Sequence, residues 1–494
     1  MKKILIGIFS ICLCAICAIG FVGCKKSEYG ATTTDLTKVT ANGGACTVYN
    51  GELYFVNGTL SNNGSNNGGK TLGSIYKVAL EDDGSIAENA TYTKIVDNLV
   101  GFDDGSVTII GNSLYYVMPG TGKNSRGETL YNKLKFMRKN LDNGNVQEIY
   151  TTELNEESEE VSYAYYVANE KVYLVVFENT NKMLRSFTID NQITTNFTKS
   201  KVQSVAFSEN LGISENDSAE RYVFYTLNCE DNAPDTSTNR VYRVSPDGTN
   251  EGLIIDDVSS TLEGIYEGKL IVSASFGTSP NNVTLTYAFD ITKDTVNADI
   301  VLSNGISKLA NPDSYEYVIN NNSHDIEAYL TEDGKIAVIY VDNGYISYAL
   351  YNGDLTEAEK SYSITVSHAP SKFIETYEYE GHTYLVYIDS SDSLVYKIRI
   401  DFNDQDDVSL SKPEATKLST TKAESGSGNM IAKMVNDYVY FFAKDEDSNV
   451  LMYRTNFLTP KEINDKKDDT DETKETDESK LVVGAAELVG GKNI

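Results

Sequence analysis

The sequence predicts an all-β protein, a β-propeller of about eight four-stranded antiparallel blades, with seven as the alternative count. Three observations point there. An aromatic–aliphatic phrase recurs along the whole chain: GELYFVNG, NSLYYVMPG, EKVYLVVFEN, GKLIVSASF and DYVYFFAKD. Each copy alternates with period two between Gly, Asn and Asp punctuation, which is a strand-and-hairpin signal and not a helical one. The composition agrees, with 34 Tyr, no Trp and only 8 Pro in 494 residues, because aromatic and β-branched side chains suit a pleated, half-buried surface.

Each repeat has four parts. In the first unit a short strand, ACTVYNG, is followed by LYFVNG, an Asn/Gly-rich loop, SIYKVAL with the acidic turn EDDGS, and TYTKIVDN. The order returns in SLYYVM, KLKFMRKNLDNGN and EIYTT, in RYVFYTL, NRVYRVSPDGT and GLIIDD, and again in the later units. Taking Tyr54, Tyr115, Tyr173, Phe224, Ile271, Val338, Leu385 and Tyr440 as equivalent positions gives eight units. Four short strands with their turns occupy a repeat of this length. One such unit cannot cover its own apolar faces, so the units must pack on one another and close into a ring.

IYKVALEDDGS, VYRVSPDGT and LKFMRKNLDNGN resemble the strand–turn phrase of TolB-like and YWTD-type β-propellers, found among the lipoproteins of Gram-positive bacteria. The resemblance covers residues 40 to 465 and implies the fold. It departs from the family in lacking Trp and a full YWTD tetrapeptide, and it brings no catalytic residues with it.

The first 23 residues read as a secretion signal: Lys2 and Lys3, then an apolar run from Ile4 to Val22. Phe21-Val22-Gly23-Cys24 resembles the lipobox of bacterial lipoproteins, which implies cleavage before Cys24 and its lipidation by long acyl chains such as palmitate. An uncleaved anchor and simple secretion are the alternatives. Two acyl chains hold a protein to a membrane durably where one is marginal. Residues 24–39 would then be a stalk, 40–465 the propeller, and 466–494 an acidic disordered tail with a short apolar end. NDKKDDTDETKETDESK has almost no apolar residue and cannot build a core. LVVGAAELVGG after it is too short to span a bilayer and reads as a tail patch or a strand laid on the body.

Charge limits the partners. Lys and Arg number 42 against 72 Asp and Glu, a net of −30, which argues against a nucleic-acid partner because phosphate binding needs clustered cations. Cys46 and Cys229 are the cysteines left in the body, and two free thiols are expected unless the fold brings their Cα atoms within about 7 Å. His324, His368 and His382 have no partner at metal-ligand spacing in the sequence, and there is no HExxH motif or GxSxG elbow. PGTGKNS lacks the first Gly and the Ser/Thr of a phosphate loop. Asp445, Asp447 and Asn449 follow the 1-3-5 spacing of a calcium loop, although Val450 stands where Gly belongs and Asn456 where the bidentate Glu belongs. They are the metal candidates from sequence, for Ca2+, and no other cofactor is expected.

Two functions compete. One is a monomeric, non-catalytic binding or scaffolding module for protein or polysaccharide, tethered outside the cell on its membrane. The other is a metal-assisted propeller hydrolase or lyase acting on glycans, which requires acids from several blades to converge on one ion. A transporter-feeding solute-binding protein needs long helices between strands, and GDLTEAEKSY (353–362) is one of very few helix-like segments.

Overall fold

In the computed structural model, the described residues form eight antiparallel sheets that follow one another along the chain, numbered here blades 1 to 8 with strands A to D in chain order. The description covers residues 39–490 apart from 59–72, 98–106, 153–160, 208–221, 229–238, 291–323, 331–335, 352–357, 401–413, 425–431, 468–476 and a few shorter gaps. In blades 5 and 6 it is a description of backbone, Leu262 and Ile346 excepted. The blades span 46–96, 108–151, 161–200, 202–255, 260–290, 324–364, 370–417 and 433–488. Six are four-stranded and blade 5 has three described strands. Blade 2 has a fifth strand, Val39–Asn42, on the free edge of its strand A. The fold is thus the eight-bladed propeller that the repeats predict. All eight equivalent positions fall on strand B of successive blades, from Glu52–Asn57 in blade 1 to Tyr438–Lys444 in blade 8.

Strand B is apolar on both faces because a neighbouring sheet covers each. In blade 3 it is Lys171–Glu178, buried from Val172 onward. Val172, Leu174 and Val176 pack into the core shared with blade 2, while Tyr173, Val175 and Phe177 pack into the core shared with blade 4. The period-two alternation therefore sorts residues between two neighbours, not between core and water. Blade 8 does the same: Tyr440 and Phe442 go with blade 1, and Val439, Phe441 and Ala443 with blade 7. Strands A of blades 4 to 8 touch in succession, and that of blade 8 touches that of blade 1, so strands A line the axis and the ring closes.

Two segments differ from the sequence reading. Residues 358–362 of GDLTEAEKSY lie in a strand, Ala358–Ile364, which is strand D of blade 6. Pairing along strand C overrides the helical preference of Glu, Ala and Lys. Secondly, the ring does not stop at 465. A short helix, Pro460–Asp465, opens with a capping box between Thr459 and Glu462. After it, Glu487–Leu488 pairs with strand C of blade 8 as its strand D. Val489 is 2% exposed in the core between blades 8 and 1. Its N–H donates to the Met452 carbonyl at 2.9 Å. The apolar end of the tail completes the last blade, since a three-stranded sheet would leave Met452 and Arg454 uncovered. Among the described residues no helix is long and apolar enough to cross a membrane.

Candidate functional site

The strongest constellation sits at one end of blade 7. Strand A (Pro370–Tyr379) and strand B (His382–Asp389) are antiparallel, with Pro370 opposite Asp389. That register brings His368, two residues before strand A, beside the turn that follows strand B. The turn is built by Asp389, whose Oδ1 accepts from the Ser391 N–H at 2.8 Å, the Ser391 hydroxyl at 2.5 Å and the Asp392 N–H at 2.9 Å. The Asp389 N–H donates across the turn to the Leu394 carbonyl, and Ser393 takes a φ of +62° to close it. This is an Asx turn, in which a side-chain oxygen replaces a backbone acceptor.

Asp389 is fully buried, yet its second oxygen has no hydrogen-bond partner. Facing that Oδ2 at 3.6 Å is His368 Nδ1, also buried and without a hydrogen-bond partner. The rest of the imidazole reaches solvent, the side chain being 33% exposed. Its ring stacks on Tyr396, centroids 4.4 Å apart, and its carbonyl accepts from the Tyr387 hydroxyl at 3.0 Å. The Tyr396 hydroxyl donates to Asp392 Oδ2 at 2.9 Å. One ligating atom from each of His368, Asp389 and Asp392 lies within 4.8 Å of the others, the one such group among the described residues.

Burial works against ionising Asp389, but the Ser391 hydroxyl, the Asp392 and Ser391 amides and the nearby His368 outweigh it and hold the carboxyl below its ordinary value. Burial, and then the hydrogen bond to Asp392, push the Tyr396 phenol up. The site therefore presents an anionic carboxylate, an imidazole and a neutral phenol.

Asp445, Asp447 and Asn449 occupy the corresponding turn of blade 8, between strands B and C. Asp445 Oδ1 accepts from the Asp447 N–H at 2.9 Å and the Asn449 N–H at 2.8 Å. Its Oδ2 accepts from Asn449 Nδ2 at 3.1 Å. Both oxygens of Asp445 are thus engaged by N–H donors, and Asp447 is exposed on the turn. His382 begins strand B of blade 7 and His324 begins strand A of blade 6. Cys24 and Cys229 lie outside the described residues. Cys46 is a buried free thiol whose pKa burial pushes up to about 12, the reverse of an activated nucleophile. PGTG lies in the long strand B of blade 2, Ser113–Lys123.

No family profile matches the sequence, and no curated protein matches it. Solved structures do. The Dos1 propeller is 12% identical, with 84% of this chain and 93% of that one covered and a TM-score of 0.41. The β-propeller domain of the Trilobed protease from Pyrococcus furiosus is 11% identical over 74% of this chain and 99% of that one, TM-score 0.33. Polysaccharide lyase Uly1 is 8% identical over 75% and 93%, TM-score 0.39. The likeness is one of β-propeller fold, and nothing about activity comes with it.

Proposed function

We propose that the protein is an extracytoplasmic lipoprotein propeller of the TolB-like or YWTD-type kind of Gram-positive bacteria. It is held to the outer side of the cell membrane through lipidated Cys24 and acts as a monomeric, non-catalytic binding or scaffolding module for a protein or polysaccharide. One observation carries this reading. Val39 pairs with Ile110 and Asn42 with Thr108, so Val39–Asn42 runs antiparallel to strand A of blade 2. Val39 therefore stands at the end of the ring where the A–B and C–D turns lie. The B–C turns, including the His368–Asp389–Asp392 pocket, lie at the opposite end. A tether at one end and exposed turns on a rigid frame at the other suit a module that presents a surface outward. The fourteen residues between Cys24 and Val39 reach roughly 50 Å when extended.

The glycan hydrolase or lyase reading needs ligands from several blades around the axis. His368, Asp389 and Asp392 all come from blade 7 at its outward turns, which favours binding over that chemistry. The test has two arms. Cys24→Ser should abolish palmitate labelling, and label that persists in it refutes the tether; a chain lacking residues 1–24 should be released from the membrane. The released ring should capture purified wall polysaccharide or surface protein without shortening any glycan, and glycan cleavage refutes the non-catalytic reading.

A further inference from the structure

We propose that His368, Asp389 and Asp392 form a binding site for a divalent transition cation of the zinc class at the B–C turn of blade 7. The inference does not depend on the binding reading above. Its core is the facing of two buried atoms with no hydrogen bond, His368 Nδ1 and Asp389 Oδ2, at 3.6 Å. Burying a carboxylate oxygen with nothing bonded to it is costly. That separation is too long for a direct hydrogen bond. It is the separation of two ligands on one ion: bonds of about 2.0–2.2 Å subtending 3.6 Å open to roughly 110–130°, near tetrahedral.

Three further observations agree. Each ligand is oriented by a neighbour, as metal ligands are. Ser391 holds Asp389, the Tyr396 ring and the Tyr387 hydroxyl hold His368, and the Tyr396 hydroxyl holds Asp392. The vacant oxygen is not a general property of such turns, because the matching Asp445 Oδ2 of blade 8 is filled by Asn449 Nδ2. The donor set also selects the ion. One imidazole and two carboxylates suit zinc and its neighbours, whereas calcium takes six to eight oxygens at about 2.3–2.6 Å. Asp392 offers the third ligand, within 4.8 Å of the other two.

The test uses the full chain, stripped with a chelator and titrated with zinc chloride by calorimetry, with cobalt chloride followed by visible absorption. One saturable site per chain is expected, with the four-coordinate cobalt spectrum. His368→Phe keeps the stack on Tyr396 and removes the nitrogen. Asp389→Asn keeps the Oδ1 acceptor that builds the turn and removes the charge. Each should weaken zinc binding at least tenfold while the circular dichroism of the zinc-free protein is unchanged. If Asp389→Asn disturbs the fold, His368→Phe decides alone. Absence of saturable binding, or equal affinity in His368→Phe, overturns the proposal. So does a melting midpoint that follows pH and ignores zinc, which would mark the pair as a plain ion pair.

Discussion

Replacing Glu178 by Ala tests how the blades are coupled. Glu178 ends strand B of blade 3 with its carboxylate 1% exposed and 2.7 Å from Arg185 Nη1, the arginine being on strand C and 9% exposed. The same oxygen accepts from the hydroxyl of Tyr150, on strand D of blade 2 (Val146–Thr151), and the other oxygen accepts from Asn181 at 3.1 Å. Removing one member of a buried pair leaves the other charge desolvated, at about 3–5 kcal/mol. Arg185 retains the Tyr150 hydroxyl as a neighbour, so the lower figure of about 3 kcal/mol applies. With an unfolding entropy of about 2.1 cal/mol/K per residue over residues 46–488, each degree corresponds to about 0.9 kcal/mol, and the melting midpoint should fall by about 3 °C. The assay is urea or thermal unfolding followed by tyrosine fluorescence, the chain having no Trp. It is run on Glu178→Ala, Arg185→Met and the double variant, and the double variant should cost at least about 1.5 kcal/mol less than the sum. A loss below about 1 kcal/mol, or additivity within about 0.5 kcal/mol, refutes the reasoning.

Gly84→Ala should destabilise the junction of blades 1 and 8. Gly84 has a φ of +78°, and an added Cβ would lie 2.9 Å from Asn436 Cβ, so a loss of at least about 1–2 kcal/mol is expected, and an unchanged urea midpoint would contradict it. Asp389 makes stability depend on acid. Its folded-state pKa lies below the ordinary 3.8, so its contribution is complete above that value and is lost as pH falls through the depressed one. Acid unfolding curves of Asp389→Asn should accordingly be shallower than those of the parent below about pH 4. Deleting residues 481–494 removes strand D of blade 8 and uncovers Arg454, whose side chain is 3% exposed and bonded to Glu487; protease resistance of blade 8 should drop, and unchanged cleavage would count against the strand. For the calcium candidate at Asp445, Asp447 and Asn449, the expected result is a midpoint unaffected by calcium, because N–H donors already engage Asp445.

The ring was readable from strand B because that strand is covered on both sides. Runs such as YLVVF and YVYFF carry no polar interruption, so they recur as recognisable phrases. Strand A of blade 2 is three residues, Thr108–Ile110, and strand D of blade 8 is two, Glu487–Leu488; elements so short leave no periodic signal. The strand at Ala358–Ile364 looked helical because propensity was read without its pairing partner Tyr345–Tyr351. The His368–Asp389 pocket escaped for a different reason. The two residues stand 21 positions apart (389 − 368) and meet only through the pairing of Pro370 with Asp389. Conversely, the Asp445 turn has metal-like spacing along the chain, but its carboxylate is turned inward onto its own amides. A hairpin register fixed in advance, with Pro370 opposite the last residue of strand B, is the signal that could have found the pocket.

Among the described residues no strand from the beginning of the chain completes the final sheet. All four strands of blade 8 come from residues 433–488. Its seam with blade 1 is held by side chains: Tyr440, Phe442, Met452 and Val489 against Cys46, Leu53 and Phe55, with Arg454 reaching the Gly84 carbonyl at 3.4 Å. Such a ring is fastened like a bracelet with a clasp. Unfolding under load should start there, with blades 1 and 8 parting before any sheet frays, and a pull on the leading segment, whose Val39–Asn42 grips blade 2 rather than blade 1, would reach past the clasp to the second link.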